Sequence, residues 1–149
     1  MKTDPRLLLP LLLLFSCTPK SAETERPSAD VTSGAVHVTK AELRETLPTV
    51  EDGVLYLTVS NTGPTPVKLL GVRTSAARDV MPMRDHSGAR HDPIDLTIAP
   101  KSSLVFKPGG DHLMLMNVTR PLRKGEKVPV TLSLQPGGDI TLDVPVNPY

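Results

Sequence analysis

The sequence predicts an all-β domain, a sandwich or small barrel of about seven to eight mostly antiparallel strands. The composition is typical of a turn-rich β protein, since the chain has 16 Pro and 10 Gly. Short runs rich in β-branched residues recur between turn signals, and no segment shows a convincing helical periodicity. With no Trp and only two Phe, the core is expected to consist mostly of Leu, Val and Ile.

Each predicted strand is a short apolar or alternating run bounded by turn residues. The clearest is 54–60, which the Asn-Thr-Gly-Pro-Thr-Pro turn of residues 61–66 ends. Residues 73–95 alternate poorly and are interpreted as a strand fragment plus a loop. The last two strands are expected to pair across residues 135–139. The predicted strands are 36–39, 54–60, 67–72, 96–98, 103–106, 112–118, 128–134 and 140–146.

The amino-terminal segment predicts export. Lys2 and Arg6 precede an apolar run at residues 7–15, too short to span a bilayer, which ends at Cys17, the only cysteine. This resembles a lipoprotein signal, so residues 1–16 are expected to be removed and Cys17 lipidated. The alternative is an ordinary signal peptide, leaving a secreted or periplasmic protein.

The remainder of the chain then divides into two parts. Residues 17–34 are polar and predict a flexible tether, and residues 35–149 form the folded domain. Thr18, which follows the cysteine, favours the outer membrane on the periplasmic side of a bacterial cell.

The most informative stretch is Lys-Pro-Gly-Gly-Asp-His-Leu-Met-Leu-Met at residues 107–116. It predicts a turn followed by a strand, in which His112, Met114 and Met116 share one face. Thioether sulfur is a soft ligand that suits Cu(I), and imidazole also binds copper. Because the chain has only five Met, this concentration indicates a copper site.

Four segments resemble the PCu(A)C family of periplasmic copper(I) chaperones: 53–63, 69–77, 107–116 and 125–132. The third is close to the "KPGGxHLMLM" signature of that family, and its copper ligands carry over onto His112 and Met114. The resemblance implies a cupredoxin-like β-sandwich or barrel that binds Cu(I) through two Met and two His, or three Met and one His. It also implies copper delivery to a recipient such as a cytochrome oxidase subunit.

The upstream half of the site departs from the family pattern. The usual spacing falls on Arg90 and Asp79, which are not Cu(I) ligands. Met83 and His91 lie near these positions, so the preferred set is Met83, His91, His112 and Met114. Further candidates are Met81, His86 and Met116.

Several function classes are disfavoured. A net charge of +1 gives no reason to expect nucleic acid as a partner. A cysteine confined to the signal excludes blue-copper electron transfer, and no hydrolase motif is present.

The protein is therefore expected to be a non-enzymatic carrier. It is also expected to be a monomer that touches the membrane only through its lipid. The alternatives are copper storage or detoxification, and an interaction module without a functional metal site. Cu(II) binding by His86 and His91 stays open.

Overall fold

The computed structural model describes residues 26, 28–83 and 94–149. These residues form ten strands and no helix, so none of them provides a helix able to cross a membrane. The strands are β1 (Ala29–Ser33), β2 (Val36–Arg44), β3 (Gly53–Asn61), β4 (Val67–Thr74), β5 (Ala77–Met83), β6 (Leu96–Ile98), β7 (Ser102–Phe106), β8 (His112–Val118), β9 (Lys127–Gln135) and β10 (Gly138–Asn147).

The predicted all-β class is confirmed, and each of the eight predicted strands is present. The count of seven to eight is too low within the described ranges, because β1 and β5 are strands of their own. β5 accounts for the strand fragment that was expected within residues 73–95.

β1 lies within the segment expected to be a tether, so the first strand among the described residues begins at Ala29 rather than near Ala35. It pairs antiparallel with β2, with Val31 opposite Val38. Ala29 and Val31 pack against the core. Only these two of its five residues are apolar, too few to stand out by alternation in a polar stretch.

The strands form a curled open sheet in the order β5-β8-β3-β2-β10-β9-β4-β6, with β1 on β2 and β7 on β3. The pairings are antiparallel except for a short parallel pairing of β2 with β10, in which Leu43 is opposite Val146. The expected hairpin of the last two strands is confirmed, and β9 and β10 pair from Leu134 and Gly138 to Lys127 and Pro145. β8 thus lies between β5 at one edge and β3.

The core is built mainly from Leu, Val and Ile, as predicted. Along β3 every second residue is buried, including Leu55, Leu57 and Val59. Leu113 and Leu115 of β8 are fully buried on the same side. Burying each such side chain stabilises the fold by about 1.5–3 kcal/mol. The inward-facing side chains of β3 and β8 therefore stabilise the fold, whereas the side chains on the opposite faces of these strands are not part of the core.

One buried polar side chain fixes the end of β3. The amide nitrogen of Asn61 donates to the carbonyl of Thr65 at 2.7 Å and to that of Ile98 at 3.2 Å. Its Oδ1 accepts from the Gly63 N–H at 3.0 Å. Asn61 is only 1% exposed, so these bonds satisfy polar groups that water does not reach. They tie the turn after β3 to the end of β6.

Candidate metal centre

β8 alternates as the sequence predicts. Leu113 and Leu115 are fully buried, whereas His112, Met114 and Met116 are half-buried on the opposite face. The motif therefore places one imidazole and two thioethers in a row on the outer face of the sheet.

β5 adds two further thioethers to this face. In its antiparallel pairing with β8, Met81 lies opposite Met114, and Met83 lies opposite His112. Side chains of directly opposite residues project to the same face, with Cβ atoms about 4.5–5.5 Å apart. Met81, Met83, His112 and Met114 thus form a compact group, called here the Met-His quartet.

The local sequence explains why β5 takes this register. Ala77 and Val80 are buried, and Val80 is opposite Leu115 on the core side. Pro82, opposite Leu113, lacks an N–H and is tolerated because β5 is an edge strand. With Val80 and Pro82 on the core side, Met81 and Met83 are directed to the outer face.

The quartet also accounts for the departure from the family spacing. Asp79, on which that spacing falls, is exposed and lies opposite Met116. Met81 comes two residues later and so occupies the same face of the strand. A displacement of two residues along β5 exchanges a carboxylate for a thioether without turning the ligand into the core.

Three of the four preferred residues, Met83, His112 and Met114, are brought together by the structure. Met81, kept only as an alternative from the sequence, joins them. Met116 lies one pair beyond, on the same face. His86 and His91 fall outside the described residues, as does Cys17.

The imidazole ring of His112 contacts the backbone of the turn that precedes it. Its Nδ1 lies 3.0 Å from the carbonyl oxygen of Gly110, in the turn before β8. The other histidine in the described ranges, His37, is bonded through Nδ1 to the Thr32 hydroxyl at 3.0 Å and lies near that of Thr62. His37 thus ties β1 to β2.

Carboxylates do not build a site in this part of the chain. Across residues 28–83 and 94–149, no group of three or more His, Cys, Asp or Glu side chains could hold a metal ion. With a neutral imidazole, the four donors of the quartet carry no charge. Such a group favours a soft cation over ions such as Mg²⁺ that prefer oxygen.

Two carboxyl groups with lowered pKa belong to other parts of the fold. Hydrogen bonds from Ser133 and Arg73 hold the pKa of Asp139, in β10, below its ordinary value. For Glu126, before β9, partial burial raises the pKa. Hydrogen bonds from the Arg123 N–H and from Arg120 lower it further than burial raises it. These groups bear on stability rather than on metal binding.

Comparison with known proteins defines the class. Residues 36–146 match the family described as "Putative lipoprotein LpqE-like", so the chain belongs to the LpqE-like family. Over 147 residues it is 29% identical to "Putative lipoprotein Lxx21020" of Leifsonia xyli subsp. xyli (strain CTCB07), covering 93% of this chain and 85% of that protein.

Solved structures confirm the cupredoxin-like fold of PCuAC domains that the sequence resemblance implied. The copper-bound PCuAC domain from PmoF2 superposes with a TM-score of 0.72 at 23% identity, covering 81% of this chain and 99% of that one. The solution structure of CuI-DR1885 from Deinococcus radiodurans gives a TM-score of 0.62 at 31% identity, covering 79% and 80% of the two chains.

Proposed function

We propose that this protein is an extracytoplasmic Cu(I) carrier whose metal is held by Met81, Met83, His112 and Met114. The observation that carries the proposal is the register of β5 on β8, which sets both thioethers of β5 opposite the His112-x-Met114 pair. Two strands of the sheet supply the site, so the donors are gathered by the fold itself.

The chemistry of the quartet suits this cargo. Three thioethers and one imidazole correspond to the three-Met, one-His arrangement that the family resemblance implies. These uncharged soft donors favour Cu(I) and leave its single positive charge in place. All four residues are half-buried, so a recipient has access to the ion, as exchange by ligand replacement requires.

The comparisons support the same metal. One similar structure is described as a copper-bound PCuAC domain and another as a CuI form. The second is 31% identical to this chain. The shared fold and sequence, together with the quartet, support Cu(I) as the metal that this protein binds.

The cellular role that we propose rests on the family resemblance and on the signal-like segment that ends at Cys17. A lipid on Cys17 would hold the carrier at a membrane outside the cytoplasm, where a monomer hands copper to a recipient such as a cytochrome oxidase subunit. The lipoprotein descriptions of the family and the Leifsonia relative support the anchor. The choice of the outer membrane stays a prediction from Thr18.

Copper stoichiometry and affinity test the site. The purified protein is titrated with Cu(I) under reducing conditions against a chromophoric Cu(I) competitor. Wild type is expected to bind one ion. Met81→Leu, Met83→Leu, Met114→Leu and His112→Gln should each weaken binding at least about tenfold, or ~1.4 kcal/mol. No binding by wild type, or four variants with unchanged affinity, would overturn the proposal.

Two matched controls use residues of the same type outside the quartet. His37→Gln removes a histidine bonded to Thr32, and Met116→Leu removes a methionine opposite Asp79. Both are expected to leave the affinity within about threefold, or ~0.7 kcal/mol. A tenfold loss in Met116→Leu would assign a ligand role to Met116 instead.

The role of His91 and the direction of copper flow need separate measurements. His91→Ala is expected to reduce the Cu(I) affinity if residues outside the described ranges complete the site.

Delivery is tested by mixing the Cu(I)-loaded carrier with the soluble copper domain of a cytochrome oxidase subunit and measuring which of the two proteins holds the copper. Retention of copper by the carrier, or binding of several ions per chain, would favour storage.

A further inference from the structure

The turn that precedes His112 has a defined geometry. The Gly110 N–H donates to the Lys107 carbonyl at 3.2 Å, which closes a β-turn over residues 107–110. Pro108 occupies its second position, and Gly109 the third with a φ of 72°. Proline followed by a residue of positive φ is the signature of a type II turn.

A second hydrogen bond fixes the turn to the start of the strand. The Lys107 N–H donates to the Asp111 carbonyl at 2.7 Å. The backbone from Lys107 to Asp111 is therefore held at both ends, and with it the direction of the Gly110 carbonyl.

That carbonyl determines which nitrogen of His112 carries the proton. Nδ1 lies 3.0 Å from the Gly110 oxygen, and a carbonyl oxygen only accepts. Nδ1 must therefore be the protonated nitrogen, which leaves the lone pair of the neutral ring on Nε2.

We propose that the 107–111 turn is a positioning device that sets the tautomer and orientation of His112 before any metal binds. It would present Nε2, rather than Nδ1, to the thioethers of Met83 and Met114. This inference rests on the proposed function, because an Nε2 lone pair matters here only if His112 is a ligand. The Gly110 carbonyl does not touch the metal but acts through the ring.

Such an outer contact has a measurable effect. Groups that orient a metal-bound histidine typically account for a factor of about 10–100 in metal affinity. Gly109 is the residue through which the turn can be perturbed without a clash, since a Cβ placed there meets no atom within 4 Å. Ala at this position is disfavoured by the positive φ alone, whereas Asn tolerates it.

The first test is the tautomer in the metal-free protein. In ¹⁵N-labelled wild type, the ring nitrogens of His112, assigned by comparison with His112→Gln, are expected to show a protonated Nδ1 and an unprotonated Nε2. A protonated Nε2 on neutral His112 would overturn the inference whether or not the protein binds copper.

The second test perturbs the turn. Gly109→Ala is expected to weaken Cu(I) binding about 10- to 100-fold and to populate both tautomers of His112, with amide spectra otherwise native. Gly109→Asn should restore both properties to near wild type. A native tautomer and unchanged affinity in Gly109→Ala would refute positioning by the turn.

The outcomes separate the two proposals. A wild type with the Nδ1–H tautomer but no copper binding would refute the proposed function and leave the turn's effect on the ring intact. Should Gly109→Ala not fold, the wild-type spectrum still tests the inference, because a protonated Nε2 on neutral His112 would overturn it.

Discussion

Leu113 and Met114 are consecutive residues of β8 with opposite environments, and they should respond oppositely to substitution. Leu113 has no exposed surface and faces Leu55 across the β3–β8 pairing. Leu113→Ala removes buried methyl groups and leaves a cavity, which costs 2–5 kcal/mol in comparable cores. Since Leu113 is fully buried between two strands, we expect about 3 kcal/mol.

Urea unfolding followed by far-ultraviolet circular dichroism measures this loss. With a slope of about 1.5–2 kcal/mol per M for a domain of this size, the midpoint should fall by about 1.5–2 M. At low urea, where the variant is still folded, its Cu(I) affinity should stay within about threefold of wild type, because the side chain lies on the core face.

Met114→Leu is the matched opposite. The swap conserves volume on a half-buried face, so the unfolding free energy should change by less than about 1.5 kcal/mol. Copper affinity should instead fall at least about tenfold. If Leu113→Ala abolished copper binding in the folded protein, or Met114→Leu left the affinity intact, the assignment of the two faces would be refuted.

Three further predictions concern stability. Asn61→Ala leaves the buried Gly63 N–H and the Ile98 carbonyl without their partner; the free energy of unfolding in urea should drop by about 2–3 kcal/mol, and an unchanged midpoint would argue against these bonds. The pKa values of Asp139 and Glu126 are lower in the folded state, so their stabilising contribution is present above the unfolded values near ~4 and disappears as pH falls through the folded ones. Asp139→Asn should therefore flatten the decline of the thermal midpoint in acid, and a decline as steep as in wild type would contradict this. Finally, Cu(I) at 100 times its dissociation constant should raise the free energy of unfolding by about 2.7 kcal/mol, a gain that the His112→Gln variant should lose at the same metal concentration.

Most of the fold could be predicted from the sequence because most strands show a local alternating or apolar pattern that ends at turn residues. Residues 54–60 alternate and end in a strong turn signal, and β3 follows that pattern. β1 was not predicted because it is stabilised by pairing with β2, and the sequence of β1 alone does not show this tertiary contact. The Asp30 carboxylate accepts a hydrogen bond from the Lys40 N–H at 2.8 Å. No pattern within β1 itself predicts this contact.

The site was only half predictable for a related reason. His112 and Met114 sit within one alternating motif, so their common face can be deduced from spacing alone. Met81 and Met83 alternate as well, but their place beside the motif depends on the register of an edge strand against β8. Register depends on Val80 and Pro82 meeting Leu115 and Leu113, which no spacing within a single segment reveals.

The parallel pairing of β2 with β10 bears on how fast the chain folds. Leu43 and Val146 are about a hundred residues apart, and the pairing of their strands joins β5, β8, β3 and β2 to β10, β9, β4 and β6 in the sheet. Closing so long a loop costs entropy before the contact contributes stability, and topologies of this kind fold in milliseconds to seconds. During that interval the edges of β2 and β10 are unpaired with each other, and these edges are where association with another unfolded chain would begin.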